Sequence, residues 1–494
     1  MTLECQWNVT HQTVADDPTA LKQLVDQARA TVSHDSDNTA WQMNLANALQ
    51  RLGDKLYRDG QAAEAKAAFQ EEYEISTRFL QRDAKNLDWQ RVRAHSLQKR
   101  ADALLALNDR AASHADLTAI QTFAEQYLAQ YPSDTDLQRL LAVNYERLGD
   151  MGRFSGNSQS ALYAFTREVE LGQKLVATDA ANDDWNQVLV FALSRAGDIL
   201  RDMNEPAKAY ERYMDSAEVA RKLLKLRPDD VNWRRSLATA LERAGDAIQP
   251  TDPTAARDAY QADVEAARQL VAVQEGNSDW NMALALGLER LGRMDLVRGN
   301  RAAAKAYFDE ESETCRRMLT RLPGNDDWIW RQVSTLEVLG QILWPSNEQN
   351  AARNADQEAV DLARIGRDHH PDDAGWLRLL ATSVQQLGDA KFYGSDPDTA
   401  RDAYAEAVLS ARQLASKDAG VWLWQIDLML ALWKDAELKI RDSDFAGARR
   451  QLIEAIAIVN ALSEAKHLQG VQTDWPNQLR NRLAAANASL AKAH

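Results

Sequence analysis

Cysteine and proline are scarce in this 494-residue sequence, which contains 2 Cys and 11 Pro. Two lone cysteines, Cys5 and Cys315, cannot build a disulfide framework, so we expect a reducing compartment. Hydrophobic residues make up 45% of the chain and charged residues 27%, which excludes a disordered or low-complexity protein when proline is so rare. The composition therefore indicates an ordered, cytoplasmic protein.

Long apolar runs and targeting segments are missing as well. No window of about 18 apolar residues occurs, and the opening MTLECQWNVT has no basic segment followed by an apolar run. We therefore expect neither secretion nor a membrane partner.

Motifs for catalysis and metal binding are also absent. None of the 8 histidines forms HExxH or pairs with CxxC, and there is no GxxxxGK[ST], no GxGxxG after a strand and no GxSxG. The pair His369-His370 precedes Pro371, which favours a solvated loop pair over a metal site. We predict a protein that is not an enzyme and holds no metal or cofactor.

Positive charge is in deficit, with 58 Lys and Arg against 73 Asp and Glu and a net charge of -15. Surfaces that bind nucleic acid are normally basic, so no nucleic-acid partner is expected.

A ten-residue tract, LANALQRLGD in its first copy, recurs along the chain. Its glycines are Gly53, Gly149, Gly197, Gly245, Gly292, Gly340 and Gly388, at steps of 96, 48, 48, 47, 48 and 48. The first step holds a copy with Ala101 in the glycine position. A second column, mostly tryptophan, lies twelve residues upstream and consists of Trp41, Trp89, Leu137, Trp185, Trp233, Trp280, Trp328, Trp376 and Trp422. Nine copies of one unit fill most of the chain.

Apolar residues within each copy fall at helical intervals, and no stretch alternates as a strand would. Mixtures of Pro, Gly, Asn and Asp, such as YPSDTD and LRPDDVN, separate the copies and supply caps for the next helix. Each copy is therefore predicted to be a helical hairpin, with the recurring tryptophan packed as a core element across the joint.

The spacing of the glycine, an alanine twelve residues later and an aromatic four further on, as in Gly53, Ala65 and Phe69, resembles the core motif of the tetratricopeptide repeat (TPR). The usual TPR period is about 34 residues, and 14 more can be accommodated as two extra helical turns in each arm. The resemblance covers roughly residues 38–470. It implies an all-α solenoid, a superhelix of about nine TPR-like hairpins with terminal capping helices.

The domain organisation follows from the register. We predict an N-terminal segment with a capping helix at 1–37, a repeat array at 38–470 and a C-terminal capping helix at 471–494. Residues 1–16 receive no assignment. The predicted repeats lie near 38–85, 86–133, 134–181, 182–229, 230–276, 277–324, 325–372, 373–418 and 419–470.

Charged residues form columns around the glycine. An aspartate follows the glycine position in six copies, as Asp54, Asp102, Asp150, Asp198, Asp246 and Asp389. An arginine column lies three residues before that aspartate. A further acidic column contains Glu146, Glu242, Glu289 and Glu337. The resemblance implies that these residues line the inner, concave helices. Either the arginines and aspartates of adjacent repeats pair and fix the twist, or the acids form a groove that attracts a basic segment.

The acidic column breaks in repeats six and seven, where Arg293 and Gln341 replace aspartate. In repeat seven, Trp344 and Pro345 are predicted to end the first helix early, and repeat five has QPTDP at the matching turn. These irregularities reflect either drift or a place where a partner selects side chains. If there is one specific contact patch, we expect it around Glu289, Arg293, Glu337, Gln341 and Trp344.

The sequence thus predicts a non-catalytic scaffold that binds a protein or peptide, with or without a basic segment, in the groove of the solenoid. The alternative is a regulatory or sensor subunit whose catalytic partner, a protease, nuclease or NTPase, is a separate protein.

Overall fold

The computed structural model describes residues 17–346, 348–394 and 399–493, and in these ranges it contains helices and no β-strand. The chain divides into two compact units, residues 1–259 and 260–494, and the boundary falls within one helix, Pro253–Val273, here α11.

Unit 1 begins with α1 (Pro18–His34) and continues with paired helices. They are α2 (Thr39–Arg58), α3 (Ala62–Arg82), α4 (Leu87–Ala106), α5 (Arg110–Leu128), α6 (Thr135–Phe154), α7 (Ser158–Thr178), α8 (Asp183–Asp202), α9 (Pro206–Leu226) and α10 (Val231–Ile248).

Unit 2 has the same organisation. Its helices are α12 (Ser278–Val297), α13 (Arg301–Arg321), α14 (Asp326–Leu343), α15 (Gln349–His369), α16 (Ala374–Phe392), α17 (Ala400–Lys417), α18 (Trp422–Arg441), α19 (Phe445–Glu464) and α20 (Trp475–Ala493). Two 3-10 segments, Trp344–Ser346 and Gly470–Asp474, lie between helices.

Consecutive helices pack against one another throughout each unit, so each unit is an all-α solenoid of hairpins, and the predicted fold class is confirmed. No helix within the described ranges is long and apolar enough to cross a bilayer. The stretch 1–16, including Cys5, lies outside the described residues.

The first helix of most repeats begins at an Asn or Asp cap. The Oδ1 atom of Asn38, for example, accepts a hydrogen bond from the backbone N–H of Trp41 at 3.1 Å, and Asp373 does the same for Trp376 at 3.0 Å. Such caps satisfy amide groups that have no partner within the helix. The joint residues thereby fix where each repeat starts.

The tryptophan column is part of the core in several repeats. Trp89, Trp233, Trp328 and Trp376 are buried, and the Trp328 indole N–H donates to Ser278 Oγ of the preceding repeat at 3.0 Å. The prediction is wrong for Trp422, which is 38% exposed and stacks on His467 at a ring separation of 5.4 Å.

The helical glycines make room for an aromatic ring of the same hairpin. A Cβ on Gly197 would lie 2.7 Å from Cε1 of Tyr213, and one on Gly388 would lie 2.6 Å from Cδ1 of Tyr404. The close approach is between the two helices of one hairpin, because the aromatic ring sixteen residues later lies against the glycine.

The first helices of repeats five and seven are short. Both α10 and α14 have 18 residues, whereas α2 and α4 have 20. In repeat seven the helix ends at Leu343 and the chain turns through the 3-10 segment at Trp344 and Pro345, as predicted.

Candidate functional site

The first helices of successive repeats lie next to each other and together form what we call the first-helix face. In unit 1, α2 contacts α4, α4 contacts α6, α6 contacts α8 and α8 contacts α10. In unit 2, α14 contacts α16 and α16 contacts α18. The predicted charge columns lie on these helices.

Ion pairs join these first helices across adjacent repeats. They are Asp54 with Lys99 at 2.9 Å, Asp102 with Arg147 at 2.8 Å, Glu146 with Arg195 at 2.8 Å, Asp198 with Arg243 at 3.4 Å and Asp389 with Lys434 at 3.1 Å. The pairing of adjacent repeats that the sequence allowed is thus present. It neutralises much of the negative charge that an acidic groove would need.

Three further acids of the columns lie in unit 1. Asp150 has no ion pair to a basic side chain in the described part of the chain, and burial raises its pKa. Glu242 is half-buried on α10, and Asp246 is exposed on the same helix. Asp150 is therefore a carboxylate of unit 1 whose charge no ion pair compensates.

In repeat six the replacement of aspartate by Arg293 changes the pairing. Arg293 donates from Nε to Glu289 at 2.8 Å, and Arg331 of the next repeat pairs with the same glutamate. Burial favours the neutral acid, but these two guanidinium groups outweigh it and hold the pKa of Glu289 below its usual value. Glu289 is thus fully engaged within the fold.

In repeat seven amides and hydroxyls replace the ion pair. Gln341 donates to Gln386 Oε1 at 3.1 Å, while Glu337 accepts hydrogen bonds from Thr382 at 3.0 Å and Ser383 at 2.7 Å. Burial raises the pKa of Glu337, and the two hydroxyls only partly offset that effect. No basic side chain forms an ion pair with Glu337 within the described ranges.

The ion pairs between the first helices of adjacent repeats form a ladder, which is interrupted at repeat seven. A cavity of about 450 Å³ opens beside this break in the ladder, entirely within unit 2. It is lined by Gly340, Gln341, Trp344, Asp356, Thr382, Gln385, Gln386, Asp389, Ala390 and Tyr393. We call it the Asp356 pocket. Its size lies within the range of about 300–1,000 Å³ that is typical of ligand sites in proteins.

Asp356 occupies the position where five other repeats carry the packed aromatic. Sixteen residues after the helical glycine stand Phe69, Phe165, Tyr213, Phe308 and Tyr404, each at most 1% exposed. In repeat seven the glycine is Gly340, and a Cβ added there would lie closest to the Asp356 carboxylate. A short acidic side chain thus lies where a ring fills the hairpin in five other repeats.

The Asp356 carboxylate is poorly compensated. It is 2% exposed, and Oδ1 accepts one hydrogen bond from Gln386 Nε2 at 2.7 Å. Burial raises the pKa of Asp356 to about 7. The charges of Glu337 and Asp389 act in the same direction, and the hydrogen bond from Gln386 acts against it. No hydrogen bond to Oδ2 is present among the described residues.

The mouth of the pocket combines charge with aromatic surface. Trp344 is half-buried, and Tyr393 is 59% exposed. Asp389 accepts a hydrogen bond from Tyr404 at 2.6 Å, and the ammonium group of Lys434 lies 3.1 Å from Asp389 and 5.5 Å from the centre of the Tyr393 ring.

The contact patch expected from the sequence divides in the structure. Gln341 and Trp344 line the Asp356 pocket, and Glu337 adjoins it through its backbone oxygen, which accepts from Gln386 at 2.7 Å. Glu289 and Arg293 do not line it, because they lie one repeat earlier, where they pair with each other.

Sequence reasoning missed Asp356, Gln386 and Tyr393. The signal for Asp356 was available, because an aspartate interrupts a column of aromatic residues. Nothing in the sequence marked Gln386 or Tyr393, whose roles depend on how repeats seven and eight pack.

Both residues of the histidine pair are exposed, and both also contact a carboxylate. His369 Nδ1 and His370 Nε2 lie 2.7 and 2.6 Å from the Asp326 carboxylate, although both side chains remain more than 40% exposed. The pair therefore links two joints between repeats. No cluster of His, Cys, Asp and Glu suited to a metal occurs in the described residues.

Comparison with known proteins gives weak overall similarity. No protein-family model and no curated protein matches this sequence. Among solved structures, a signal transduction ATPase with a tetratricopeptide repeat sensor from Pyrococcus horikoshii is 14% identical, with 80% of this chain and 54% of that chain covered and a TM-score of 0.41.

Two other solved structures are similar in the same way. A tetratricopeptide repeat protein from Parabacteroides merdae is 15% identical, with 69% of this chain and 98% of that chain covered and a TM-score of 0.30. The quorum sensor NprR from B. thuringiensis is 12% identical, with 83% and 96% covered and a TM-score of 0.33.

The recurring glycine–alanine–aromatic motif and the packing of its ring on the glycine within each hairpin identify the architecture more directly. The chain has a TPR-like helical-repeat fold with a 48-residue period.

Proposed function

We propose that the chain is a non-catalytic scaffold that binds a protein or peptide partner on the first-helix face of unit 2, at the Asp356 pocket. The observation that carries this proposal is the break in the ladder of ion pairs. Elsewhere on the face many acids are already neutralised by a neighbouring repeat, whereas Glu337 and Asp356 have hydrogen bonds but no ion pair in the described residues.

The chemistry of the pocket supports a partner segment with basic residues. Uncompensated carboxylates in a partly enclosed site attract cations more strongly than exposed acids do, because less water screens them. Trp344 and Tyr393 add apolar surface of the kind that anchors protein interfaces. A net charge of -15 also favours encounter with a basic segment.

The test measures association and dissociation rates for a partner captured by the full-length chain, at two salt concentrations. Trp344→Ala should speed dissociation, because it removes a large contact at the pocket. Trp422→Ala is the matched control, because Trp422 is also an accessible tryptophan but lies in repeat nine, and it should leave dissociation unchanged.

A second pair of variants tests the charge of unit 1. Asp150→Lys should slow association and weaken its salt dependence if the first-helix face of unit 1 also guides the encounter, and Asp150→Asn should have a smaller effect. If Trp344→Ala and Trp422→Ala dissociate at the same rate as the parent protein, the partner binds elsewhere.

A further inference from the structure

The Asp356 pocket exists because a ring is missing. In five repeats an aromatic side chain fills the space between the two helices of a hairpin, at most 1% exposed in each case. Repeat seven keeps the small residues of the motif, Gly340 and Ala352, but has aspartate in place of the ring. The hairpin therefore retains the geometry that accommodates a ring and leaves part of that volume open.

The floor of the pocket is a carboxylate with unused hydrogen-bonding capacity. Asp356 is 2% exposed, and only Oδ1 is hydrogen-bonded in the described residues, by Gln386 at 2.7 Å. A carboxylate has acceptor sites on both oxygens, and a buried one is costly to leave unpaired. A cationic hydrogen-bond donor would satisfy both the charge and the free oxygen.

The surroundings select for a cation. Glu337 and Asp389 lie close enough to raise the pKa of Asp356, so both favour a positive charge beside its carboxylate. One ammonium group already occupies the edge of this region: Lys434 contacts Asp389 at 3.1 Å and lies over the Tyr393 ring at 5.5 Å. That arrangement, a carboxylate beside an aromatic face, is a known way to hold a cation.

We infer that the Asp356 pocket receives the ammonium or guanidinium group of a lysine or arginine side chain from the partner, with Asp356 as its counter-ion. Trp344 and Tyr393 would flank the aliphatic stem, and Gln386 would hold the carboxylate in place. This inference rests on the proposed function, because it names the chemistry that the pocket recognises.

The test uses n-butylammonium and n-butylguanidinium as side-chain analogues and n-butanol as the neutral control, with full-length protein at pH 8. At that pH a carboxyl with a pKa of about 7 is mostly ionised. Saturation-transfer NMR should show that both cations bind and that n-butanol does not bind or binds much more weakly.

Two variants test the role of the carboxylate. Asp356→Asn should weaken binding of both cations about ten- to hundredfold, the effect of losing a hydrogen bond to a charged group. Asp356→Phe restores the ring of the other repeats and should abolish binding while leaving the protein folded. The control is Asp198→Asn, which removes a carboxylate of the first-helix face of unit 1 and should leave cation binding unchanged.

Several results would overturn the inference. They are no binding of either cation to the parent protein, equal binding of n-butanol, or unchanged cation binding in Asp356→Asn. Displacement of the captured partner by n-butylammonium would show that a partner side chain uses the pocket, whereas binding of the amine without displacement would identify a free small amine as the ligand and refute the assignment to the partner.

Failure of this inference is distinguishable from failure of the proposed function. If the analogues do not bind but Trp344→Ala still speeds dissociation of the partner, the interaction surface stands and the cation pocket does not. If the analogues bind but Trp344→Ala and Trp422→Ala behave alike, the pocket takes a cation that is unrelated to the partner.

Discussion

Replacing Gly197 by leucine should force apart the two helices of repeat four. A Cβ at this position would lie 2.7 Å from Cε1 and 2.9 Å from Cζ of Tyr213, whereas carbon atoms in contact are normally about 3.5–4.0 Å apart. Tyr213 has no exposed surface, and its hydroxyl donates to Asp198 at 2.7 Å, so the ring is held at both ends. It cannot move aside without breaking that hydrogen bond.

The expected net loss is about 1–3 kcal/mol in the free energy of unfolding, the usual cost of overpacking a core. Replacing a glycine inside a helix regains only about 1 kcal/mol, which we expect the larger leucine side chain to exceed in further clashes. For a folding unit of 150–250 residues, each kcal/mol lowers the melting temperature by about 2–4 °C. Thermal melts followed by circular dichroism measure this loss.

A double-mutant cycle identifies Tyr213 as the cause. Tyr213→Ala alone should cost about 3–5 kcal/mol, but in that background the leucine at position 197 has space and should cost nothing or restore stability. The neighbouring control, Asp198→Asn, keeps an oxygen that can accept from Tyr213 and loses only a partly exposed ion pair with Arg243, so it should cost less than about 1 kcal/mol. Additive effects of the Gly197 and Tyr213 substitutions would refute the packing argument.

Two further predictions concern buried groups that do not belong to the pocket. Burial, the largest cause, raises the pKa of both Glu168 and Glu311 to about 8, so the stability that their neutral forms contribute is fully present below pH 4.5 and is lost as the pH rises to about 8. Over this range each glutamate should lower the free energy of unfolding by on the order of 1 kcal/mol per pH unit. Glu168→Gln and Glu311→Gln should therefore flatten the fall in melting temperature between pH 5 and 8. An unchanged dependence of melting temperature on pH would contradict this account. Cys315 has no exposed surface, and burial raises the pKa of its thiol, so in a Cys5→Ser background it should react with a thiol reagent only when urea unfolds the chain; rapid reaction in the native state would show that unit 2 is open there.

Much of the fold is readable from the sequence because it depends on local periodicity. The 48-residue register places the glycine, the alanine and the aromatic of each hairpin, and the Asn or Asp caps mark where the first helices begin. The early end of α14 follows from Trp344 and Pro345 for the same reason. These features need no knowledge of which helices touch.

Contacts between elements were harder to predict. The sequence showed that arginines and aspartates recur, but it could not decide between a structural ladder and an acidic groove, because that depends on the separation of side chains such as Asp102 and Arg147. Predicting the pocket would have required even more knowledge of how the helices pack. Asp356 comes from a second helix, Gln386 from the next repeat and Trp344 from the 3-10 segment that follows the shortened α14, and only the packed structure brings them to one place.

The central claim is that the partner binds at the Asp356 pocket. The most direct test places a photo-crosslinking amino acid at Gln341, which is exposed and lines the pocket, or at Tyr163, which is 55% exposed in unit 1. We expect cross-links to the captured partner from position 341, at a segment containing lysine or arginine, and their loss when Asp356→Phe is added. Equal cross-linking from both positions, or cross-links from position 341 that persist in the Asp356→Phe background, would contradict the account.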